Sequence, residues 1–144
     1  MKIWKIILLI IALTGIAAAF LVYFFIYSKP HRDYERAEPD LEIAAEDLYR
    51  AFIKDEQNAE KTFNGKVLLI HGTLSGVEQV ADDMVIAYFV FEEGFFGGEG
   101  VRCTMLENHH EKALQMEAGH EVVIKGLCTG FTGTDVIMEH CSFP

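Results

Sequence analysis

Hydrophobic positions along this chain follow three successive patterns, each predicting a different kind of element. From Ile6 to Tyr27 (IILLIIALTGIAAAFLVYFFIY) the run is 22 residues long without a charge. A helix rising about 1.5 Å per residue would carry such a run across roughly 33 Å, close to the ~30 Å hydrocarbon core of a bilayer. Trp4, Tyr23 and Tyr27 lie near its ends, where interfacial aromatic belts form, and Lys2, Lys5, Lys29 and Arg32 flank it. Ala17 and Ala19 form an A-x-A pattern that a signal peptidase could read, but FLVYFFIY prolongs the apolar run well beyond that point. We read residues 1–28 as an uncleaved single-span anchor, with the membrane contacted through residues 6–27. No cysteine lies near the segment to carry a lipid.

The second pattern begins after a polar linker, residues 29–38. In LEIAAEDLYRAFIKDEQNAEKTF, Leu41, Ala44, Ala45, Leu48, Phe52, Ala59 and Phe63 recur at three- and four-residue steps, opposite a face of carboxylates. This spacing predicts one amphipathic helix, opened by Pro39-Asp40 and ended by Asn64-Gly65. From Lys66 the period shortens towards two. Five strands are predicted: Lys66–Val80, with Gly72 and Gly76 where it could bend, Met84–Glu92, Val101–Leu106, His120–Cys128 and Asp135–Phe143. ENHHEKALQMEAG, residues 107–119, reads as a short helix between the third and fourth strands.

Five strands with a helix after the third predict a mainly β (α+β) fold, the five-stranded Greek-key OB-fold barrel over residues 39–144 with its leading helix. FNGKVLLIHGTLSGVE, GVRCTM, VVIKGLCTG and DVIMEHC, in that order and after the LYRAFIKDEQNAEKTF helix, resemble the tRNA_anti-like family of bacterial OB-fold domains. The resemblance covers about Pro39 to Phe143. It implies a fold and a small exported or membrane-tethered protein, and it does not imply a tRNA ligand. With the short basic tail ahead of the span, this places the anchor in a bacterial inner membrane and the soluble domain in the periplasm.

Charge changes the functional picture. All 22 acidic residues but only ten of the twelve basic ones lie beyond residue 27, so that part carries a net charge of −12. Such a surface repels phosphate backbones, whose neutralisation by Lys and Arg supplies most nucleic-acid affinity, so a nucleic-acid ligand is disfavoured. A single-strand or tRNA-type nucleic-acid module stays as the alternative that the fold permits. We expect instead a protein or small-molecule ligand.

The remaining chemistry is sparse. GxSxG, P-loop and HExxH motifs are missing, so we expect no enzyme, cofactor or metal. His109-His110 point about 100° apart on a helix and read as surface cap residues. Asp82-Asp83 and Glu92-Glu93 read as solvated hairpin ends. Cys103, Cys128 and Cys141 lack CxxC spacing; they are either three small buried residues or one disulfide plus a thiol, with Cys103–Cys141 the candidate pair, since an OB barrel sets its third strand beside its fifth. The candidate ligand face is Tyr88, Phe95, Phe96 and Arg102, around the connection FVFEEGFFGGEGVRC. Alternation sends Phe89 and Phe91 to one side of their strand and Tyr88 to the other, while Phe95 and Phe96 either fold back on the barrel or stand out for a partner.

Overall fold

The protein is described by a computed structural model covering residues 2–27 and 32–144. Residues 28–31, which begin the expected linker, lie outside the described residues. The chain divides into two compact units, Met1–Arg32 and Asp33–Pro144.

In the first unit, α1 runs from Lys2 to Tyr27 and every residue of it is exposed. With a mean hydropathy of 2.8 over its most apolar window, it is long and apolar enough to cross a membrane. Thr14 Oγ1 donates to the Ile10 carbonyl at 2.7 Å, so the hydroxyl inside the apolar run finds its partner in the helix backbone.

The second unit is mainly β. Its strands are β1 (Leu41–Ala44), β2 (Val67–Thr73), β3 (Gly76–Ala81), β4 (Met84–Gly94), β5 (Gly97–Met105), β6 (Glu121–Phe131) and β7 (Val136–Ser142). They form one sheet in the order β1-β2-β6-β7-β5-β4-β3. Seven strands replace the expected five for two reasons. The first strand divides at Leu74–Ser75. Leu74 exchanges hydrogen bonds with the segment before β6 (N to His120 O, 2.9 Å; its O from Gly119 N, 2.8 Å), whereas Ser75 N donates to Tyr88 O of β4 at 2.8 Å. The chain thus changes partner at this step, so that β2 serves one half of the sheet and β3 the other. As expected, the third strand (β5) lies beside the last (β7), in parallel.

The other added strand, β1, occupies what was expected to be the start of the helix. Leu41 to Ala44 pair in parallel with Leu68 to His71. Asp40 sets this register twice, donating its N–H to Val67 O (2.7 Å) and accepting from Val67 N on its carboxylate (2.9 Å). A partner 27 residues away overrides the local helical period. The helix itself is two pieces, α2 (Ala45–Lys54) and α3 (Glu56–Phe63), broken at Asp55. Asp55 leaves helical geometry at φ −155° and ψ 88°, and its side chain caps α3 by accepting from Asn58 N.

Both pieces place their apolar face on the sheet. Ala45, Leu48, Phe52, Ala59 and Phe63 are buried as their spacing predicts. Leu41 is 37% exposed, because it belongs to β1 and not to that face. The core continues through inward residues of the sheet such as Leu68, Ile70, Phe89, Ile124 and Met138. Between β5 and β6 lie a single 3-10 turn (Glu107–His109) and the short α4 (His110–Leu114). Residues 33–38, expected as linker, belong to the second unit.

The candidate ligand face

β4 alternates strictly through its middle. Val85, Ala87 and Phe89 point into the core and are fully buried, while Ile86, Tyr88 and Val90 point outward and are half-buried. Burying Phe89 alone contributes on the order of 1.5–3 kcal/mol, which fixes the face that Tyr88 must take. After a register shift between Val90 and Glu92, Phe91 packs against the core edge, its ring 5.8 Å from Tyr49.

Tyr88 and Arg102 are cross-strand partners on β4 and β5, and the structure brings them together. The Arg102 guanidinium carbon lies 5.5 Å from the Tyr88 ring centroid. Its Nε lies 3.2 Å from Asp135 Oδ2, yet without hydrogen-bond geometry, so the contact is an electrostatic one. Asp135 is itself buried and fixed, accepting from Gly100 N (3.1 Å) and from Thr134 Oγ1 (3.0 Å). On the other flank the Tyr88 hydroxyl donates to Glu78 Oε2 at 3.0 Å. Burial first, then Glu78, holds the Tyr88 phenol above its usual range. This patch is therefore a braced aromatic–cation pair between two carboxylates. Asp135 offsets the guanidinium charge from the Nε side, while the Arg102 side chain remains 44% exposed.

Phe95 and Phe96 stand at the far end of the same hairpin, seven residues beyond Tyr88, about 20 Å along an extended strand. They occupy the turn itself, since Gly94 pairs with Gly97. Both stand out, at 96% and 94% exposure, with their rings edge to face at 5.3 Å. Gly97 takes the positive φ (123°) that the turn requires, so the two phenylalanines keep ordinary backbone angles. The base beneath them is anchored. Arg50 of α2 bridges Glu92 (3.1 Å) and Glu46 (3.1 Å), and the Tyr49 hydroxyl donates to Glu99 at 3.4 Å. Burial, then Glu92 and Glu99, pushes the Tyr49 phenol up to about 12. At Gly100 a Cβ would run into the Phe89 carbonyl, so only glycine lets the two strands approach there.

Cys103, Cys128 and Cys141 are buried free thiols. The candidate pair Cys103–Cys141 is adjacent but not bonded. A register shift makes Met105, not Cys103, the cross-strand partner of Cys141, so the two cysteines sit diagonally. Burial and the neighbouring Cys103 raise the Cys141 thiol, and burial raises Cys128 to about 11. Such thiols stay protonated and unreactive at neutral pH. No cluster of metal-binding side chains is found among the described residues. A groove of ≈ 420 Å³, lined by Ala51, Lys54, Asn58 and Phe63 among others, lies on α2 and α3, and no residue of the hairpin tip lines it.

His109 holds the N-cap position of α4, as expected of a cap residue, but its side chain makes no capping hydrogen bond and does not lie on the surface. Its side chain is only 14% exposed, with Nε2 2.7 Å from Glu35 Oε1. No local signal links these two residues, which lie 74 positions apart.

The tRNA_anti-like family model matches residues 1–143. No curated protein matches the chain. Among solved structures, a candidate aspartyl-tRNA synthetase from Leishmania major Friedlin superposes with a TM-score of 0.47 at 13% identity, over 71% of this chain. The chain spans 20% of the length of that protein. A candidate nucleic acid-binding lipoprotein from Klebsiella pneumoniae subsp. pneumoniae MGH 78578 superposes with a TM-score of 0.49 at 11% identity, over 71% of this chain and 91% of its own.

Proposed function

The chain belongs to the tRNA_anti-like family, and from that premise we propose that it is a membrane-anchored, non-enzymatic OB-fold binding module whose ligand is a protein or small molecule. We place the anchor in a bacterial inner membrane and the domain in the periplasm. The observation that carries the reading is the β4–β5 hairpin. It offers two fully exposed phenylalanines on a braced base, beside a face whose arginine is held by a buried aspartate. Turn positions favour Gly, Asn and Asp, so a Phe-Phe turn exposed to water serves contact and not stability. Strand order supports the OB-fold part: β4, β5, β7 and β6 are successive neighbours, flanked by the two halves of the first strand.

Nucleic acid is the competing ligand. A single-strand binder combines stacking aromatics with a cationic groove. Here Phe95 and Phe96 supply the aromatics, while Glu92, Glu93 and Glu99 surround them. Titrating labelled single-stranded DNA and RNA into the full chain at low and at physiological salt separates the two. We expect no binding at either; tight binding that weakens steeply with salt would overturn the proposal.

A further inference from the structure

Residues 33–37 form a single turn, closed by Ala37 N to Asp33 O (3.0 Å) and Arg36 N to Asp33 Oδ1 (3.2 Å). This turn presents an aromatic ring, a main-chain carbonyl and a carboxylate, and the domain has a fitted partner for each. The Tyr34 ring stacks on His140, with centroids 4.8 Å apart and planes 12° from parallel. His140 sits at the extra residue of a β7 bulge with φ 52°, the only non-glycine positive φ among the described residues. A bulge of this kind re-aims a side chain out of the strand alternation.

The Glu35 carbonyl accepts from Lys125 Nζ at 2.6 Å. Lys125 is only 8% exposed, and a buried ammonium left without a partner is costly, so this position needs an acceptor. The Glu35 carboxylate accepts from Asn108 Nδ2 at 3.0 and 3.1 Å and meets His109 Nε2 at 2.7 Å. His109 Nδ1 accepts from Phe143 N at 3.4 Å, which assigns the ring proton to Nε2, facing Glu35. Four side chains from three elements thus converge on one dipeptide.

The geometry points to a recognition site for an aromatic–acidic peptide segment, built from Asn108, His109, Lys125 and His140 and filled in cis by Tyr34 and Glu35. Being on the same chain, the cis segment occupies the site at an effective concentration of order mM for a short linker. An external peptide with the same Tyr-Glu chemistry must displace it, so the segment acts as an internal competitor. The site is separate from the β4–β5 face, and its partner would be an acidic stretch of another protein.

The test uses the full chain in detergent and a fluorescein-labelled peptide of residues 32–38 (RDYERAE). The doubly substituted chain Tyr34→Ala/Glu35→Ala, with its site vacated, should bind this peptide at least roughly tenfold more tightly than the unmodified chain, a difference of about 1.4 kcal/mol. Adding Lys125→Met to the vacated chain should reverse that gain. A peptide with glutamine at its fourth position (RDYQRAE) should bind the vacated chain at least about tenfold more weakly, a factor within reach of a lost charge-assisted hydrogen bond. That arm compares two peptides on one and the same chain, so a difference between them cannot come from a further change in the protein. A vacated chain that binds RDYERAE no better than the unmodified chain, or that binds both peptides equally, overturns the inference.

Discussion

The β4–β5 hairpin tip and the docked turn at residues 33–37 are opposites. At the tip, large apolar side chains stand in water on a base tied to α2 through Arg50 and Tyr49. In the turn, polar groups are satisfied one by one by residues far along the chain. The first arrangement leaves a surface unspent; the second consumes its own binding groups. The contrast separates what contacts a partner from what is already partnered.

The largest predicted effect lies beneath the tip. Phe89→Ala should destabilise the second unit by about 3–5 kcal/mol in urea unfolding, because it opens a cavity in the core under the hairpin. A loss under about 1 kcal/mol would mean that the hairpin base is not braced as described. Lys125→Met comes next. It keeps the apolar stem but removes the hydrogen bond to Glu35, so the turn should release, at a cost of roughly 1–3 kcal/mol. The Arg36 side chain is exposed already, but the backbone around it is held in the turn; once the turn opens, trypsin should cleave after Arg36 at least about tenfold faster, since cleavage follows the open population. Unchanged cleavage would show that Lys125 does not hold the turn.

Acid should act in the same direction by a weaker route. His109 and Asn108 hold the Glu35 carboxyl below its usual range, with Arg36 adding a smaller pull. A depressed folded value stabilises the docked turn above the ordinary carboxylate range and is lost as pH falls through the folded value. The ring contact between Tyr34 and His140, followed by NMR, should therefore persist at neutral pH and fade only in strong acid. Loss near pH 6 would instead assign the latch to imidazole protonation. The smallest effect belongs to the tip. Phe95→Ser with Phe96→Ser should shift stability by no more than about 0.5 kcal/mol, as surface changes do.

The same division governs what could be read in the sequence. Continuous apolarity announced α1, and alternation in MVIAYFVFE set Tyr88 and Phe89 on opposite faces, because both signals are local; that Phe89 faces the core is seen in the structure. The break at Asp55 was also written locally, as an aspartate three residues before Asn58, but the regular spacing from Leu48 to Phe63 masked it. β1 was not legible, because its partner begins at Leu68 and parallel pairing leaves no mark on Leu41–Ala44. The docked turn was least legible of all. Glu35, His109 and Lys125 each look like solvated charge, and only the fold brings them within 3 Å of one another's groups. Of the candidate face, Tyr88 and Arg102 were named separately, and their pairing came from the register of β4 with β5 in the structure. The buried Asp135 that neutralises Arg102 followed from nothing nearby in the chain.

The most direct test of the binding proposal is photo-crosslinking in native membranes from p-benzoylphenylalanine placed at position 96, with position 80 as control. Val80 is also exposed, at 54%, but lies on β3 away from the tip. A protein adduct formed from position 96 and absent from position 80 is the predicted result. An adduct to RNA or DNA, or labelling from position 96 no stronger than from position 80, would contradict the account.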